Sequence, residues 1–392
     1  MEFAEFILAH DTDDLGALAL ARDRYASEVE DFDVALTTLE VRRKLRSKVP
    51  QWYDVPSLQY PMRLSGEQCS SAQTAVYKAS LAGGGNVADL TGGLGVDSWA
   101  FAQQATEVLY NEMQPELCAA ARHNFRELGV SNVRISCREV IPGSVAEILG
   151  DFHPDVIFLD PARRASDGRK VFRLEDCQPN VLGLLPDLFA AAPLVLLKLS
   201  PMADISLVCG QLGSVKEVHV VAADGECKEL LLLLERGFEG EYSTVIYENG
   251  SVIIPPPSYT AEGGHGFENI TLRIGLNLFE PGKALLKAGA FDLPCRFGLT
   301  KLGKHTHLYT GQVPEELQPF GKCFKILEVL PLNNKTIKDI AKRYPQASVT
   351  ARNIPLSSDQ LRKKLGVKDG GTVHIFGVHI DAIGGNFLVV VN

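Results

Sequence analysis

Three features are missing from this sequence of 392 residues, and each absence excludes a class of protein. No apolar run reaches the roughly 18 residues that a membrane-spanning helix needs. The first residues, MEFAEFILAHDTDD, are acidic and lack the basic segment of a secretory signal peptide. The eight cysteines form no CxxC pair, so neither a zinc site nor a disulfide framework is predicted. We therefore expect a reduced, cytoplasmic protein without a metal site or a membrane partner.

Charge is distributed unevenly along the chain. The net charge of −9 argues against a protein whose whole surface is basic and binds nucleic acid. Residues 321–392 nevertheless hold 11 Lys and Arg against 5 Asp and Glu, a local charge of +6, which leaves −15 on the other 320 residues. This basic part is either a surface for a polyanionic partner or the solvated face of helices such as KTIKDIAKRY and LRKKLGVK.

Changes of periodicity predict a chain of four parts. The first part is helical. In the second, short apolar strands alternate with helices, which is typical of a parallel sheet covered on both faces. That part ends in two strands joined by ADGECKE, which predicts a hairpin and one antiparallel strand. The last two parts mix strands and helices as α+β modules do. The predicted boundaries are 1–65, 66–235, 236–319 and 320–392.

Capping residues locate two of the predicted helix starts. Asp11 is a candidate N-cap for a helix in DTDDLGALALARDRY. Ser357 and Gln360, three residues apart, form a capping box for a helix near the end of the chain.

The stretch NVADLTGGLGVDSWAFAQ is the most informative segment. A predicted strand ends at Asp89, a tight loop runs from Thr91 to Gly95, and a helix begins near Asp97. Glycines let the backbone approach a ligand closely, and the free N–H groups of a helix start attract carboxylates or phosphates. The segment therefore predicts a ligand-binding loop, and a glycine turn in an ordinary α/β domain is the alternative.

Several details favour S-adenosylmethionine (SAM) over a dinucleotide as the ligand. The dinucleotide pattern GxGxxG is incomplete, because Ser98 stands where its third glycine belongs. Asp89 would repel a pyrophosphate but can accept a hydrogen bond from the ammonium group of SAM. Glu112 follows about 20 residues after the loop, where such sheets place the carboxylate that binds ribose hydroxyls. Met113 is placed to pack on the adenine, and Glu112 is equally compatible with an ordinary helix-start acid.

Three stretches together resemble a known family. DLTGGLGVD, YNEMQPELCAAARHN and FLDPARR resemble motifs I, II and IV of the class I SAM-dependent methyltransferases, over roughly residues 66–235. The loop has Thr91 where the first glycine usually stands, which is similar to the bacterial guanine-N2 methyltransferase that acts on small-subunit ribosomal RNA. Over the whole chain, the sequence resembles bacterial methyltransferases with a C-terminal THUMP-like domain preceded by a ferredoxin-like insert.

The resemblance implies a fold, a cofactor and a partner. The fold is α/β, with a Rossmann-like sheet of seven strands, a helical N-terminal region and a C-terminal α+β region. The cofactor is SAM, and the partner is RNA bound through the C-terminal module, since THUMP domains of related enzymes bind structured RNA. Asp89, Gly93 and Gly95 hold the methionine part with Asp97 close by, and Glu112 binds the ribose. The complete set of expected cofactor residues is Asp89, Thr91, Gly92, Gly93, Gly95, Asp97, Glu112, Met113 and Asp160.

The sequence also departs from the family pattern. The third strand, RISCREV, has no aspartate for the adenine amine, and Glu139 is the nearest acid. Ser71 or Gln73, in the predicted helix GEQCSSAQTAVYKASLA, either lines the pocket or belongs to an ordinary helix face.

The stretch DVIFLDPARR indicates the acceptor site. Asp160-Pro161 begins like the pattern [DN]PP[YFW] of enzymes that methylate base amines, in which the polar side chain accepts amine N–H bonds and the aromatic ring stacks on the base. Ala162 and Arg163 do not fit that pattern. Arg163 could stack on a base or pair with a phosphate. Alternatively, Arg163 and Arg164 are both exposed, or are ion-paired to Glu175 or Asp176.

Lys198 ends the next strand, at the same edge of the sheet. It is either a substrate contact or a structural partner of Asp160. The expected catalytic residues are Asp160, Pro161, Arg163 and Lys198.

The function predicted from the sequence is SAM-dependent methyl transfer to ribosomal or transfer RNA, with a base amine as a candidate acceptor. Two alternatives stay open. One is a non-catalytic RNA-binding or assembly protein on a methyltransferase scaffold. The other is a methyltransferase of small molecules or proteins whose C-terminal part serves dimerisation. The oligomeric state is left open.

Overall fold

The computed structural model describes residues 1–163, 173–256 and 272–392. The chain forms two compact units: residues 1–218 with 229–242, and residues 219–228 with 243–392. The predicted division into four parts stays a prediction. Within the described residues, no helix is both long enough and apolar enough to cross a membrane.

The first unit begins with a set of helices around a small apolar core. Asp14, and not Asp11 as predicted, caps the second helix, and its Oδ1 accepts a hydrogen bond from Ala17 N at 2.7 Å. Asp11 is withdrawn from that role because it binds the side chains of Arg42 and Tyr53. The helices are α1 (Phe3–Ala9), α2 (Leu15–Leu20), α3 (Arg22–Tyr25), α4 (Phe32–Lys48), α5 (Pro50–Tyr53), α6 (Arg63–Gln68) and α7 (Ala72–Ala82).

An alternation of strands and helices follows, as the periodicity predicts. Apolar residues fill the strands because helices cover the sheet on both faces. The elements are β1 (Asn86–Asp89), α8 (Val96–Ala102), β2 (Glu107–Asn111), α9 (Pro115–Glu127), β3 (Val133–Ser136), α10 (Val145–Leu149), β4 (Val156–Leu159), β5 (Ala162–Arg163), a 3₁₀ helix (Leu174–Asp176), β6 (Cys177–Gln178), α11 (Val181–Ala191), β7 (Leu194–Leu199), α12 (Ile205–Leu212), β8 (Val215–Ala223) and β9 (Glu226–Glu235).

Seven of these strands form a sheet in the order β8-β9-β7-β4-β1-β2-β3. The strands from β7 to β3 in this order are parallel, and β9 is antiparallel to β7, which confirms the predicted hairpin strand. The outer part of the β8–β9 hairpin, residues 219–228, belongs to the second unit. In the second unit, β10 (Ser243–Glu248) and β11 (Ser251–Ile253) form an antiparallel pair that the sequence did not predict.

The parallel register brings the carboxyl ends of the strands to one edge. Asp89 lies beside Tyr110 of β2 and beside Phe158 of β4. Leu159 of β4 in turn lies beside Leu197 of β7. The residues that follow these strands therefore meet at the same edge, where open α/β sheets bind their ligands.

The second unit also holds a separate sheet of seven strands. Two apolar cores belong to this sheet, and one of them includes Leu361 and Leu365 of its last helix. Ser357 and Gln360 form the predicted capping box of that helix. The elements are β12 (Asn277–Pro281), α13 (Lys283–Lys287), α14 (Leu293–Arg296), β13 (Thr300–Lys301), β14 (Tyr309–Gly311), a 3₁₀ helix (Glu315–Phe320), β15 (Gly321–Pro331), α15 (Asn334–Arg343), β16 (Ser348–Arg352), α16 (Ser358–Leu365), β17 (His374–Ile380) and β18 (Gly385–Val391). The strand order in this sheet is β13-β14-β12-β15-β18-β17-β16.

Gly66 tests the packing of the N-terminal helices. It lies where α6 crosses α4, and a Cβ atom there would come within 2.5 Å of Val41 Cγ1 in the core. Gly66→Ala should lower the free energy of unfolding by about 1–3 kcal/mol, because the overpacking outweighs the better helix propensity of alanine. Gly210→Ala in α12 is the matched control, since nothing lies within 4 Å of its Cβ position. Equal melting temperatures for the two variants would contradict this packing.

Candidate active site

A cavity of about 240 Å³ opens at the carboxyl edge of the parallel strands. Its walls come from the glycine loop, from the segments after β2, β3 and β4, from residues 62–70 and from Gln178-Pro179. The predicted site residues that line it are Thr91, Gly92, Gly93, Gly95, Asp97, Glu112, Met113 and Asp160. Glu139, the acid noted after the third strand, and Ser70 line it as well.

The glycine loop has a backbone that other residues would disturb. Gly93 and Gly95 have φ angles of +53° and +94°, which side chains rarely adopt. A Cβ on Gly92 would lie 2.2 Å from the ring of Tyr110, whose hydroxyl donates a hydrogen bond of 2.6 Å to Gly93 O. The loop therefore passes directly over the end of β2, and only glycine permits that approach.

Asp89 fixes the loop from below. Its side chain is fully buried and does not line the cavity. Oδ1 accepts a hydrogen bond from Thr91 N at 3.1 Å, and Oδ2 accepts one from Ser98 Oγ at 2.5 Å. Burial raises the pKa of Asp89 to about 7, and the charge of Asp97 adds to this, although the hydrogen bond from Ser98 lowers it. Direct contact of Asp89 with a methionine group stays a prediction.

Glu112 faces the cavity just after β2 and is 8% exposed. Its Oε2 accepts a hydrogen bond from Gly93 N at 3.0 Å, and its Oε1 accepts one from Gln114 N at 3.0 Å. These two bonds orient the carboxylate and leave further lone pairs for hydroxyl donors. Met113 follows with half of its surface exposed and presents an apolar side chain to the same cavity.

Asp160 stands between the glycine loop and β7. Its N–H donates a hydrogen bond of 2.6 Å to Thr91 Oγ1, and its Oδ2 accepts one from Lys198 Nζ. Burial lowers the pKa of Lys198, but the charges of Asp160 and Glu229 outweigh it and hold this pKa above its ordinary value. These contacts support the interpretation of Lys198 as the structural partner of Asp160.

The residues after Asp160 differ in their relation to the cavity. Pro161 is partly buried and is absent from the cavity lining, whereas Ala162 lines it. Arg163 pairs with Cys177 in the two-stranded sheet β5–β6, which the sequence analysis did not predict. The side chain of Arg163, and Arg164 as a whole, lie outside the described residues.

Sequence reasoning missed a buried group of charges behind the cavity. Lys78 of α7 is fully buried and lies 3.0 Å from Glu229 Oε1 and 3.1 Å from Asp97 Oδ1. Ser70 accepts a hydrogen bond from Lys78 and donates one to Asp97 Oδ2. Ser71 caps α7 instead of lining the cavity. A lysine inside the otherwise apolar AVYKASLA was the available signal, but its partner is 151 residues away in the sequence.

Comparisons with known proteins identify the family of the chain. The chain is 32% identical to a protein of Porphyromonas gingivalis W83, named as a methyltransferase, and matches its crystal structure with a TM-score of 0.82 over 100% of this chain and 97% of that chain. Two uncharacterized S-adenosylmethionine-dependent methyltransferases of Mycobacterium tuberculosis, from strains CDC 1551 and H37Rv, are each 28% identical over 308 residues, which is 76% of this chain and 78% of each relative.

The chain belongs to the SAM-dependent methyltransferases. This confirms the resemblance inferred from the three motifs. Residues 278–317 match a ferredoxin-like family, and residues 321–390 match a THUMP domain-like family.

The cavity of this methyltransferase suits SAM by the chemistry of its walls. Four carboxylates line it, from Asp97, Glu112, Glu139 and Asp160, beside apolar side chains such as Leu117. Of the Lys and Arg residues that the structure describes, only Arg138 lines the cavity, and it is paired with Glu147. Such a site matches a cofactor with an ammonium group, ribose hydroxyls and a flat base, and it offers little to a pyrophosphate. Within the described residues, no group of three His, Cys, Asp or Glu residues is placed to hold a metal ion.

The raised pKa of Asp89 predicts a pH-dependent stability of the methyltransferase. The folded protein holds this proton up to about pH 7, whereas an unfolded aspartate releases it near 3.8. The stabilising contribution is therefore complete below about pH 4 and is lost as the pH rises through about 7. Asp89→Asn cannot titrate, so its melting temperature minus that of the wild type should increase from about pH 5 to about pH 8. A constant difference over this range would contradict the raised pKa.

Proposed function

We propose that this methyltransferase methylates RNA, on an exocyclic amine of a base. The observation that carries the acceptor chemistry is the place of Asp160 at the cavity wall, held by Thr91 and Lys198. A row of exposed lysines in the C-terminal region supports the choice of RNA.

For the cofactor side of the site, we assign roles by chemistry. Glu112 binds the ribose hydroxyls, because its carboxylate is buried, oriented and open to the cavity. Asp97 receives the ammonium group at the start of α8. Met113 packs on the adenine. Asp89 acts through the loop that it holds, together with the glycines of that loop.

Asp160 is the proposed acceptor-binding residue. When bound, SAM supplies an electrophilic methyl group, so the chain must position the nucleophile and accept its proton. Lys198 occupies Oδ2 of Asp160, while no described residue hydrogen-bonds to Oδ1. With respect to the described residues, Oδ1 therefore has lone pairs left to accept an N–H of the incoming amine. Lys198 keeps the carboxylate in place, and the ring of Pro161 fixes its own φ angle directly after Asp160.

The cavity beside Asp160 offers no aromatic ring in the described residues to stack on a base. Ala162, Gln178 and Pro179 form that wall instead. Arg163 follows Ala162 directly and stays a candidate for the missing stacking contact through its planar guanidinium group.

The basic character of the C-terminal region is concentrated on α15. Lys335, Lys338 and Lys342 recur at the three- and four-residue spacing that places side chains on one helix face. All three are exposed, and none has an ion-pair partner among the described residues. We call these three residues the lysine row. The opposite face of α15 buries Ile340 in a core of the seven-stranded sheet of the second unit. The helix is therefore fixed with the lysine row outward.

Removing the acceptor contact tests the enzymatic part of the proposal. RNA from a strain that lacks the gene should accept labelled methyl groups from SAM when the wild-type protein is added. Mass spectrometry should find one methylated nucleoside missing in that strain. Asp160→Ala should lower this transfer at least about 100-fold, and Asp160→Asn, which keeps an acceptor oxygen, should lower it less. Melting curves check folding. Labelling of protein or small molecules with none in RNA would contradict the proposal.

Reversing the charge of the lysine row tests whether it is the RNA-binding surface. Lys335→Glu/Lys338→Glu/Lys342→Glu should weaken binding of that RNA and reduce the slope of log affinity against log salt by about 2 to 3, since each lysine that contacts a phosphate releases a counterion. The triple arginine variant is the matched control, because it keeps every charge and should bind as the wild type does. An unchanged salt slope in the glutamate variant would place the phosphate contacts elsewhere.

A further inference from the structure

Lys78 is an unusual residue for a protein interior. Its side chain is 0% exposed, although the charge of a buried lysine is costly unless partners compensate for it. The partners are present: Nζ lies 3.0 Å and 3.1 Å from the two oxygens of Glu229 and 2.7 Å from Ser70 Oγ. Glu229 is itself buried, and burial raises its pKa while the charges of Lys78 and Lys198 lower it.

The same lysine reaches the wall of the cavity through Asp97. Nζ lies 3.1 Å from Asp97 Oδ1, at ion-pair distance, although the angle does not make a good hydrogen bond. Ser70 closes a ring of contacts, since it accepts from Lys78 and donates to Asp97 Oδ2 at 2.8 Å. Asp97 and Ser70 line the cavity, whereas Lys78 and Glu229 lie behind it.

We propose that Lys78 is a positioning residue that, balanced by Glu229, holds Asp97 toward the amino-acid end of SAM. Lys78 and Ser70 each hold one oxygen of Asp97, so the carboxylate cannot rotate away from the cavity. Glu229 supplies the charge that lets Lys78 stay buried without neutralising Asp97. This inference rests on the proposed place of Asp97 at the cofactor ammonium group.

A structural ion pair would show the same contacts, so the test uses two ligands. S-adenosylhomocysteine carries the amino-acid end, and 5′-methylthioadenosine lacks it. Lys78→Met/Glu229→Met removes both buried charges together. Proteins often tolerate the replacement of a buried ion pair by apolar side chains. Calorimetry on the full chain should show S-adenosylhomocysteine bound at least about tenfold more weakly, with 5′-methylthioadenosine bound as by the wild type. Equal losses for both ligands, or no loss for either, would overturn the proposal.

Three further variants keep the result unambiguous. Ser70→Ala, which retains all charges, should show the same selectivity with a smaller loss, about threefold, and it decides the matter if the double variant does not fold. Lys216→Met/Glu235→Met removes an ion pair of the same composition at a half-exposed site and should bind both ligands normally.

Asp97→Ala separates the two hypotheses: if it weakens the binding of S-adenosylhomocysteine while the variants at Lys78 and Ser70 do not, Asp97 binds the cofactor unaided. If Asp97→Ala also has no effect, its proposed cofactor role fails. Neither ligand involves the acceptor, so the outcome does not depend on whether RNA is methylated.

Discussion

The arrangement of the site depends on the two hydrogen bonds that Asp89 accepts from Thr91 N and Ser98 Oγ. They tie the end of β1 to the glycine loop and to the first turn of α8. The loop is then fixed where Gly93 N can orient Glu112. An aspartate that organises the backbone in this way need not touch a ligand to be indispensable to its binding, and its own burial makes the arrangement sensitive to protonation.

Two carboxylates of the cavity wall are likewise held by groups behind the cavity. Asp97 and Asp160 are each held by a lysine that does not line the cavity, Lys78 in one case and Lys198 in the other. The cations therefore orient the carboxylates from behind, and the cavity itself stays acidic. That sign suits a cofactor that carries a sulfonium and an ammonium group. It also suits an acceptor whose polar group donates hydrogen bonds, as the amine of a base does.

The residues that sequence alone could place are those whose role is local. Periodicity predicts the strands, and the glycine spacing predicts the loop. The position of Glu112 follows from the length of one strand–loop–helix unit. The capping box at Ser357 needs only neighbours three residues apart.

The errors and omissions involve partners that are distant in the sequence. Asp11 looked like a cap, but Arg42 and Tyr53 bind it through tertiary contacts that no local pattern contains. Lys78 meets Glu229 only in the assembled fold, because Glu229 lies on β9, which returns antiparallel beside β7. The pairing of Arg163 with Cys177 likewise spans a segment whose sequence carries no strand signal.

Thr91 shows how a departure from a family pattern can be informative. Its neighbours Gly92 and Gly93 meet steric or conformational demands that only glycine satisfies, whereas position 91 has no positive φ angle that would require glycine. A hydroxyl there accepts the N–H of Asp160 at 2.6 Å, a contact that glycine cannot make. The loop on the cofactor side and the Asp-Pro turn on the acceptor side are thereby joined by one side chain. The distance between the two halves of the site is thus fixed by the residue at which this chain differs from the usual motif.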